Sequence, residues 1–353
     1  RSYKDLPLRI NQWANVVRWE TDATKLFLRS REFLWQEGHC VYETEKECDK
    51  ETLQYIKLYK KLCEELLALP VLVGKKTEKE KFAGAKYTLA IEAFMPDGKA
   101  LQCGTSHNLG QGFAKSFGIE FIGKDEKKHL PWQNSWGLST RLIGATVMMH
   151  SDNKGLVLPP KIAKNQIVII PILFDKTKSK ILKQAEKIKR ELDKFNPILD
   201  DREDYSPGWK FSEWELKGIP LRIEIGPKDL EKESITIVKR NTGEKSQLKI
   251  KEIKTKIPEI LEEIQNELFS AAKKFLESNI IEVKNWNELI KTINEKKMAK
   301  TIWCGNGKCE EEIKDKTGGA TSRCMPLDSE KISGNCPNCR KPAKTKIYFS
   351  KSY

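Results

Sequence analysis

The sequence predicts an α+β protein in three parts, and three observations carry that reading. Strand-like runs dominate residues 1–160, a short strand, helix and strand follow within 161–280, and five of the nine cysteines crowd into 281–353. A chain of 353 residues has room for roughly two to three domains of ordinary size.

Taken in order, residues 15–19 and 33–36 read as strands around a polar loop with no glycine-rich cradle. Leu53, Ile56, Leu62, Leu66 and Leu67 fall near helical spacing, so an amphipathic core helix is expected over 51–69. Residues 87–94, 100–104 and 146–150 read as further strands, the first two joined by the turn Met95-Pro-Asp-Gly98. Leu158-Pro-Pro160 closes this part. The continuous Ile/Val run over 166–173 suits a strand buried on both faces. A helix over 180–194 then places Ile181, Leu182, Ala185, Ile188 and Leu192 on one side. An aspartate-rich loop at 200–207 leads to Phe211-Ser-Glu-Trp214 and a strand over 221–225, which together indicate a small α/β domain with a mixed sheet. Helical connectors over 257–279 and 286–297 lead into the cysteine-rich part.

With 39% hydrophobic and 32% charged residues, the composition is that of a soluble globular protein. No apolar run approaches the ~18 residues of a membrane span, so no membrane partner is expected. The opening residues 1–5 are not the charged stub of a secretory leader, which makes the cytoplasm the expected compartment. The net charge of +14 is diffuse: basic residues outnumber acidic ones in each of the three parts, so no single block owns it. Such a balance permits and steers an RNA partner without identifying one.

Cys40, Cys48, Cys63 and Cys103 are scattered, as reduced packed or surface thiols would be. Cys304 and Cys309 instead flank a four-residue turn, and Cys336-Pro-Asn-Cys339 is a tight knuckle. Each short spacing aims two thiolates at one point, so these four suit a tetrahedral structural zinc site, with Cys324 as a substitute ligand should the wider pair fail.

Chemistry concentrates in three stretches of the first part. Strand alternation puts Arg18 and Glu20 on one face, and likewise Phe33, Trp35, Glu37 and His39. A face bearing arginine, acids, aromatics and a histidine is either a buried salt-bridge network or a polar site, not a dry core. The other stretches are Ala100-Leu-Gln-Cys-Gly-Thr-Ser-His107 and Ser135-Trp-Gly-Leu-Ser-Thr-Arg-Leu-Ile-Gly144, where Gly104 and Gly137 would let a ligand approach the backbone.

Together these stretches resemble a family. Arg18-Trp-Glu20 resembles the Arg-x-Glu of motif 2 in class II aminoacyl-tRNA synthetases, and Gly137-Leu-Ser-Thr-Arg141 resembles their motif 3. Arg31-Glu-Phe-Leu-Trp-Gln-Glu-Gly-His39, Trp132-Gln-Asn-Ser-Trp136, Gly155-Leu-Val-Leu-Pro-Pro160 and Trp214-Glu-x-Lys-Gly-Ile-Pro220 closely resemble prolyl-tRNA synthetases of the archaeal and eukaryotic type, and the likeness runs through essentially the whole chain. The resemblance implies a class II synthetase catalytic core built on an antiparallel sheet (1–160), an α/β anticodon-binding domain (161–280) and a small zinc-binding α/β C-terminal domain (281–353).

It further implies that ATP and L-proline give prolyl-adenylate, and that the prolyl group then passes to the 3′ end of tRNA(Pro). On this reading Arg18 and Arg141 are the catalytic residues, on the α-phosphate with the proline carboxylate and on the triphosphate end respectively. Glu20 would accept from the adenine amino group, Phe33 would stack on adenine, and Arg29, Ser30, Thr105 and Ser139 would contact the nucleotide. Gln102 would do so through Mg²⁺. Trp35, Glu37, His39 and His107 would join Arg18 around proline. A pocket discriminates size poorly, so alanine should be misactivated, and no long insertion between motifs 2 and 3 could hold an editing domain. Single-stranded bases are read by stacking and edge hydrogen bonds, which makes Trp209, Phe211, Arg222 and Glu224 anticodon candidates. The family likeness also implies that the carboxylate of Tyr353 returns towards the active site.

The sequence departs from the family in places. Motif 1, which would make a homodimer, and the Thr-x-Glu proline loop would both lie upstream of Arg1, so the chain is expected to lack an N-terminal part. Ser139 stands where Thr is usual, Cys103 where Gly or Ala is usual, and the loop 21–25 is less basic than in the family. The alternatives are a catalytically inactive synthetase-like module that binds RNA or scaffolds a complex, and a zinc-dependent RNA-binding or structural protein. The latter would leave the ionic face of the first part unexplained.

Overall fold

The structure is a computed structural model and describes residues 1–19, 23–327 and 332–353. Two compact units form: one from residues 1–64, 70–145 and 274–353, the other from 65–69 and 146–273.

The first unit is built on β1 (Leu8–Val17), β2 (Glu32–Tyr42), β3 (Leu72–Lys75), β4 (Tyr87–Phe94), β5 (Ala100–Gly110) and β6 (Trp132–Ser139). They form one sheet in the order β1-β2-β6-β5-β4-β3, closed at its far edge by the short strand Met325–Pro326. Every pairing in it is antiparallel. Gly74 of β3 makes that last pairing possible, because a Cβ there would lie 2.4 Å from the Met325 carbonyl. The Met95–Gly98 turn joins β4 to β5 as the sequence predicts, with Gly98 at φ +80°.

Helix α1 (Glu45–Lys61) covers one face of this sheet. It starts at Glu45 rather than Glu51 because Thr44 and Glu47 form a capping box, each side chain taking up the other's free backbone N–H. Its Tyr55 ring stacks on Trp136 of β6 at 4.0 Å, and its buried Ile56 and Tyr59 face the sheet. The expected strand at 146–150 is instead the end of helix α2 (Arg141–His150). A short apolar run such as Val147-Met-Met149 carries no period that separates helix from strand.

The second unit holds β7 (Ile167–Pro171), β8 (Ile198–Leu199), β9 (Leu221–Ile225), β10 (Ser234–Lys239) and β11 (Lys245–Lys249). The sheet order is β8-β7-β9-β10-β11, parallel across the first three strands and antiparallel at β10 and β11, hence mixed as expected. All five residues of β7 are buried. Helix α3 (Lys178–Glu191) buries Ile181, Ala185 and Ile188 in the core of this unit. Phe211 and Trp214 lie on helix α4 (Pro207–Leu216), started by the Ser206 cap and Pro207 at its first turn. Helix α5 (Ile253–Ser278) adds Ile257, Leu261 and Ile264 to the same core.

The cysteine-rich residues belong to the first unit. There α6 (Trp286–Asn294) and α7 (Gly307–Lys316) accompany a four-stranded sheet of Ile280–Glu282, Met298–Trp303, Thr345–Ser350 and Thr321–Ser322. No helix among the described residues is long and apolar enough to cross a membrane.

Candidate active site

The alternation of β2 divides its side chains between two environments. Gln36, Cys40 and Tyr42 are buried beneath α1, where Gln36 accepts from the Tyr59 hydroxyl at 2.6 Å. Phe33, Trp35, Glu37 and His39 point the other way and line a cavity of about 730 Å³. That volume lies within the range of small-molecule and cofactor pockets. The face is therefore a polar site and not a buried ion network.

All the ATP and proline candidates among the described residues line this cavity, carried by three neighbouring strands and the turns at their ends. Glu20, and with it residues 21 and 22 of the loop, lies outside the described residues. The Arg18 guanidinium lies 5.7 Å from the centroid of Phe33, whose ring meets Trp35 edge-on. Arg29 and Ser30 are presented by a tight turn in which Lys25 and Arg29 exchange backbone hydrogen bonds of 2.7 and 2.9 Å. Buried Leu28 anchors that turn. At the other end of β6, the Ser139 hydroxyl accepts from the backbone N–H of Arg141 at 3.3 Å, at the start of α2. The Arg141 guanidinium is gripped by two main-chain carbonyls, Leu28 at 2.9 Å and Gln102 at 3.0 Å. Arg18, Arg29 and Arg141 thus give one cavity the positive charge that a polyphosphate requires.

His107 projects from β5 between two hydroxyls, Thr88 Oγ1 at Nδ1 and Thr105 Oγ1 at Nε2, both at 2.9 Å. Burial pushes its pKa down to about 4, so the imidazole is neutral at pH 7. Phe82 lies 5.0 Å from it, with Phe113 beyond. Glu37 accepts from Gln12 Nε2 at 3.0 Å and faces His39 Nε2 at 3.2 Å. The buried Trp35 Nε1–H has no hydrogen-bond partner among the described residues, which makes it a free donor on the cavity wall. Apolar rings beside a few directed polar groups suit a small amphipathic ligand. Tyr353 also lines the cavity, its hydroxyl donating to Asp97 and its ring beneath Lys25 and Lys99 at 4.5 and 5.3 Å.

Sequence reasoning missed Phe82, Phe113 and Phe117. The signal for Phe82 is one aromatic inside the charged run Thr77-Glu-Lys-Glu-Lys-Phe82, which has no reason to be apolar unless it meets something. Gly104 and Gly137 line the cavity, but what they relieve lies behind it. A Cβ at Gly104 would sit 3.3 Å from Tyr59, and one at Gly137 3.1 Å from the Gln36 carbonyl.

The sulfurs of Cys304, Cys309, Cys336 and Cys339 all lie within 4.8 Å of one another. Cys309–Cys336 and Cys304–Cys339 are 3.6 and 3.5 Å apart. Tetrahedral zinc with Zn–S near 2.3 Å sets sulfurs about 3.8 Å apart, so this donor set fits the ion. Cys324 is fully buried elsewhere and is not one of the four.

In the second unit, Trp209 is half exposed and stacked on Tyr205 at 3.9 Å, with Arg202 over both rings. Phe211 lies under the Arg222 guanidinium at 4.3 Å. Arg222 and Glu224 are both buried and joined at 2.9 Å. Of the four anticodon candidates, Trp209 alone offers a broad exposed surface.

Comparison with known proteins agrees with these features. Residues 1–150 match the tRNA synthetase class II core domain (G, H, P, S and T), 166–260 the anticodon binding domain, and 286–353 the prolyl-tRNA synthetase C-terminal domain. The proline–tRNA ligase of Natranaerobius thermophilus is 50% identical over 357 residues, spanning 100% of this chain and 73% of that protein. The proline–tRNA ligase of Oceanobacillus iheyensis is 49% identical over 352 residues, with coverages of 100% and 73%. The crystal structure of prolyl-tRNA synthetase from Cryptosporidium parvum complexed with L-proline and AMP superposes with a TM-score of 0.95 at 45% identity, covering 100% of this chain and 74% of that one. An antiparallel class II core, an anticodon-binding domain and the C-terminal domain distinctive of one amino-acid specificity occur here in a single chain, and the chain belongs to the prolyl-tRNA synthetase family.

Proposed function

We propose that the cavity beside β2 is where this proline–tRNA ligase makes prolyl-adenylate, and that the residues lining it divide between nucleotide and amino acid. The observation that carries the reading is the convergence of Arg18, Arg29, Arg141, Gln102 and His107, from four separate segments, on one space of about 730 Å³. In-line attack of the proline carboxylate on the α-phosphate builds negative charge on that phosphorus centre and on the departing pyrophosphate. Arg18 meets the first, with the carboxylate, and Arg141 with Arg29 meets the second, both preorganised before the charge develops. Phe33 stacks on adenine, and Ser30, Thr105 and Ser139 supply hydroxyls to the nucleotide; Glu20, outside the described residues, keeps the adenine amino group as its role from the sequence alone.

Proline is held at the aromatic end, by Trp35, Glu37, His39 and His107. A neutral His107 bonded to two threonine hydroxyls adds no positive charge to compete for the carboxylate. Gln102 offers a carboxamide side chain whose oxygen is the hard donor type that Mg²⁺ takes, and it would hold that ion beside the phosphates. When bound, that ion neutralises phosphate charge. The four cysteines would hold a structural zinc.

We assign residues 1–160 to catalysis, 161–280 to the anticodon and 281–353 to the zinc-binding domain. Trp209 gives a stacking surface for an anticodon base, and Phe211, Arg222 and Glu224 form the second group assigned to anticodon reading. A homodimer is supported by β1, an edge strand whose Leu8, Ile10, Trp13 and Val17 are exposed, which suits a covered interface. We assign the protein to the archaeal and eukaryotic type, a reading supported by the sequence strings of the first part, and to the cytoplasm. The test is proline-dependent ATP–pyrophosphate exchange, which should be lost in Arg18→Ala.

A further inference from the structure

Glu92 lies on β4 with 0% exposure, in a strand otherwise made of apolar and hydroxyl side chains. A carboxylate in such a place must be paired, since an isolated buried charge costs several kcal/mol. Lys76 holds Oε1 at 2.7 Å, and Arg323 holds Oε2 through Nη2 at 2.9 Å and Nε at 3.2 Å. Lys76 and Arg323 are themselves buried. One anion between two cations leaves the cluster with a net charge of +1.

The position of this cluster relates it to the cavity. Glu92 stands opposite Gln102 in the β4–β5 register, where the pairing is interrupted by a bulge. Gln102 in turn gives its carbonyl to Arg141. Burial pushes the Arg141 guanidinium down from its ordinary value. The Cys103 thiol and the Glu92 carboxylate oppose that shift, and the cations of Arg323 and Arg29 add to it. Arg323 comes from the cysteine-bearing part of the chain. Its neighbour Ser322 donates to Glu310, which follows Cys309, and its own backbone N–H bonds the Tyr348 carbonyl at 2.8 Å.

We infer that Arg323 is a positioning residue for the triphosphate end of the cavity: by occupying Oε2 of Glu92 it keeps that buried carboxylate from drawing Arg141 out of place. The inference rests on the proposed role of Arg141 at the triphosphate. Without Arg323 the cluster becomes neutral and Oε2 loses its partner, while Lys76 stays on Oε1. The Arg141 guanidinium, held by the carbonyl of the Gln102 that stands opposite Glu92 and already within the field of that carboxylate, is then a cation it can draw. The cysteine-bearing part would then tune nucleotide affinity through one ion pair, without touching the nucleotide.

The test compares Michaelis constants for ATP and for proline in pyrophosphate exchange. Arg323→Met should raise the ATP constant about tenfold with the proline constant within about twofold, because only the triphosphate contact is disturbed. Adding Glu92→Gln removes the competing carboxylate and restores the net charge of +1, so the double variant should return the ATP constant to within about threefold of the parent. A double variant no better than the single one, or equal losses for both substrates, overturns the inference. Should Arg323→Met fail to fold, Arg323→Lys gives a smaller rise confined to ATP, and an equal rise for proline overturns the inference in the same way. Arg141→Ala, assayed alongside, separates the two levels. An unchanged ATP constant there sinks the reading of the cavity itself, whereas a raised one with an unaffected Arg323→Met sinks only the positioning role.

Discussion

The Gln102 carbonyl accepts from Nη1 of Arg141 at 3.0 Å, which ties the strand carrying one proposed nucleotide contact to the helix carrying another. A second bond to the Leu28 carbonyl, at 2.9 Å, fixes the guanidinium plane against the turn that presents Arg29. Arg141→Ala should lower kcat/KM for ATP in pyrophosphate exchange by about 10²–10³, the cost of one preorganised donor. Arg141→Lys should recover little, because an ammonium cannot reproduce a fork held by two carbonyls. Steady-state exchange kinetics check both.

Stability should fall with pH through His107. Its folded pKa, about 4, lies below the ordinary 6.5, so the unfolded chain takes up the proton first as pH drops. The contribution is fully present above pH 6.5 and is lost on the way down to about pH 4. Partly buried His150, also lowered by desolvation, acts in the same direction. Melting curves between pH 7 and 4.5 should show a smaller acid-side loss for His107→Gln than for the parent, and equal slopes would contradict the assignment.

Gly38 of β2 faces Trp136 of β6, and a Cβ there would lie 2.1 Å from the indole. Gly38→Ala should therefore push Trp136 off its stack with Tyr55 and cost about 1–3 kcal/mol, as overpacking does. Because Trp136 also lines the cavity, the KM for proline should rise with it. Denaturant unfolding and exchange assays measure the two effects separately.

Removing zinc should unfold the cysteine-bearing part before the rest. A structural zinc can contribute ~10–16 kcal/mol to a small domain, far more than packing around Cys304 and Cys336 alone could replace. Cys339→Ser should give an early, separate melting transition and no bound metal by elemental analysis. A chelator-insensitive melting curve would count against the site.

Much of the site was legible because period-two alternation survives in β2, where Phe33, Trp35, Glu37 and His39 read directly as one face. The cysteine spacing was equally plain, since short turns fix where thiolates point. Residues 146–150 misled because a short apolar run is compatible with either period, and the helix that contains it starts at Arg141, in the motif that the sequence reading had singled out for chemistry. Phe82 and the Lys76–Glu92–Arg323 cluster were invisible for a different reason: they are assembled from segments far apart in the chain, and no local pattern records such a meeting. Glu92 left one trace, a lone carboxylate inside an apolar strand, which demands a partner without naming it.

Trp209 offers a test of the second unit. Trp209→Ala should weaken tRNA(Pro) by about 1–3 kcal/mol, the cost of one base–aromatic stack. Amino-acid activation should be untouched, because the cavity is lined wholly by other residues. Aminoacylation kinetics against exchange kinetics separate the two.

The most direct test of the cavity as the site of proline activation is ATP–pyrophosphate exchange measured with and without proline, in the parent and in Arg18→Ala. Exchange that depends on proline and disappears in Arg18→Ala is the expected result. Proline-dependent exchange that survives Arg18→Ala undiminished would contradict it, because the charge on the α-phosphate would then be met elsewhere.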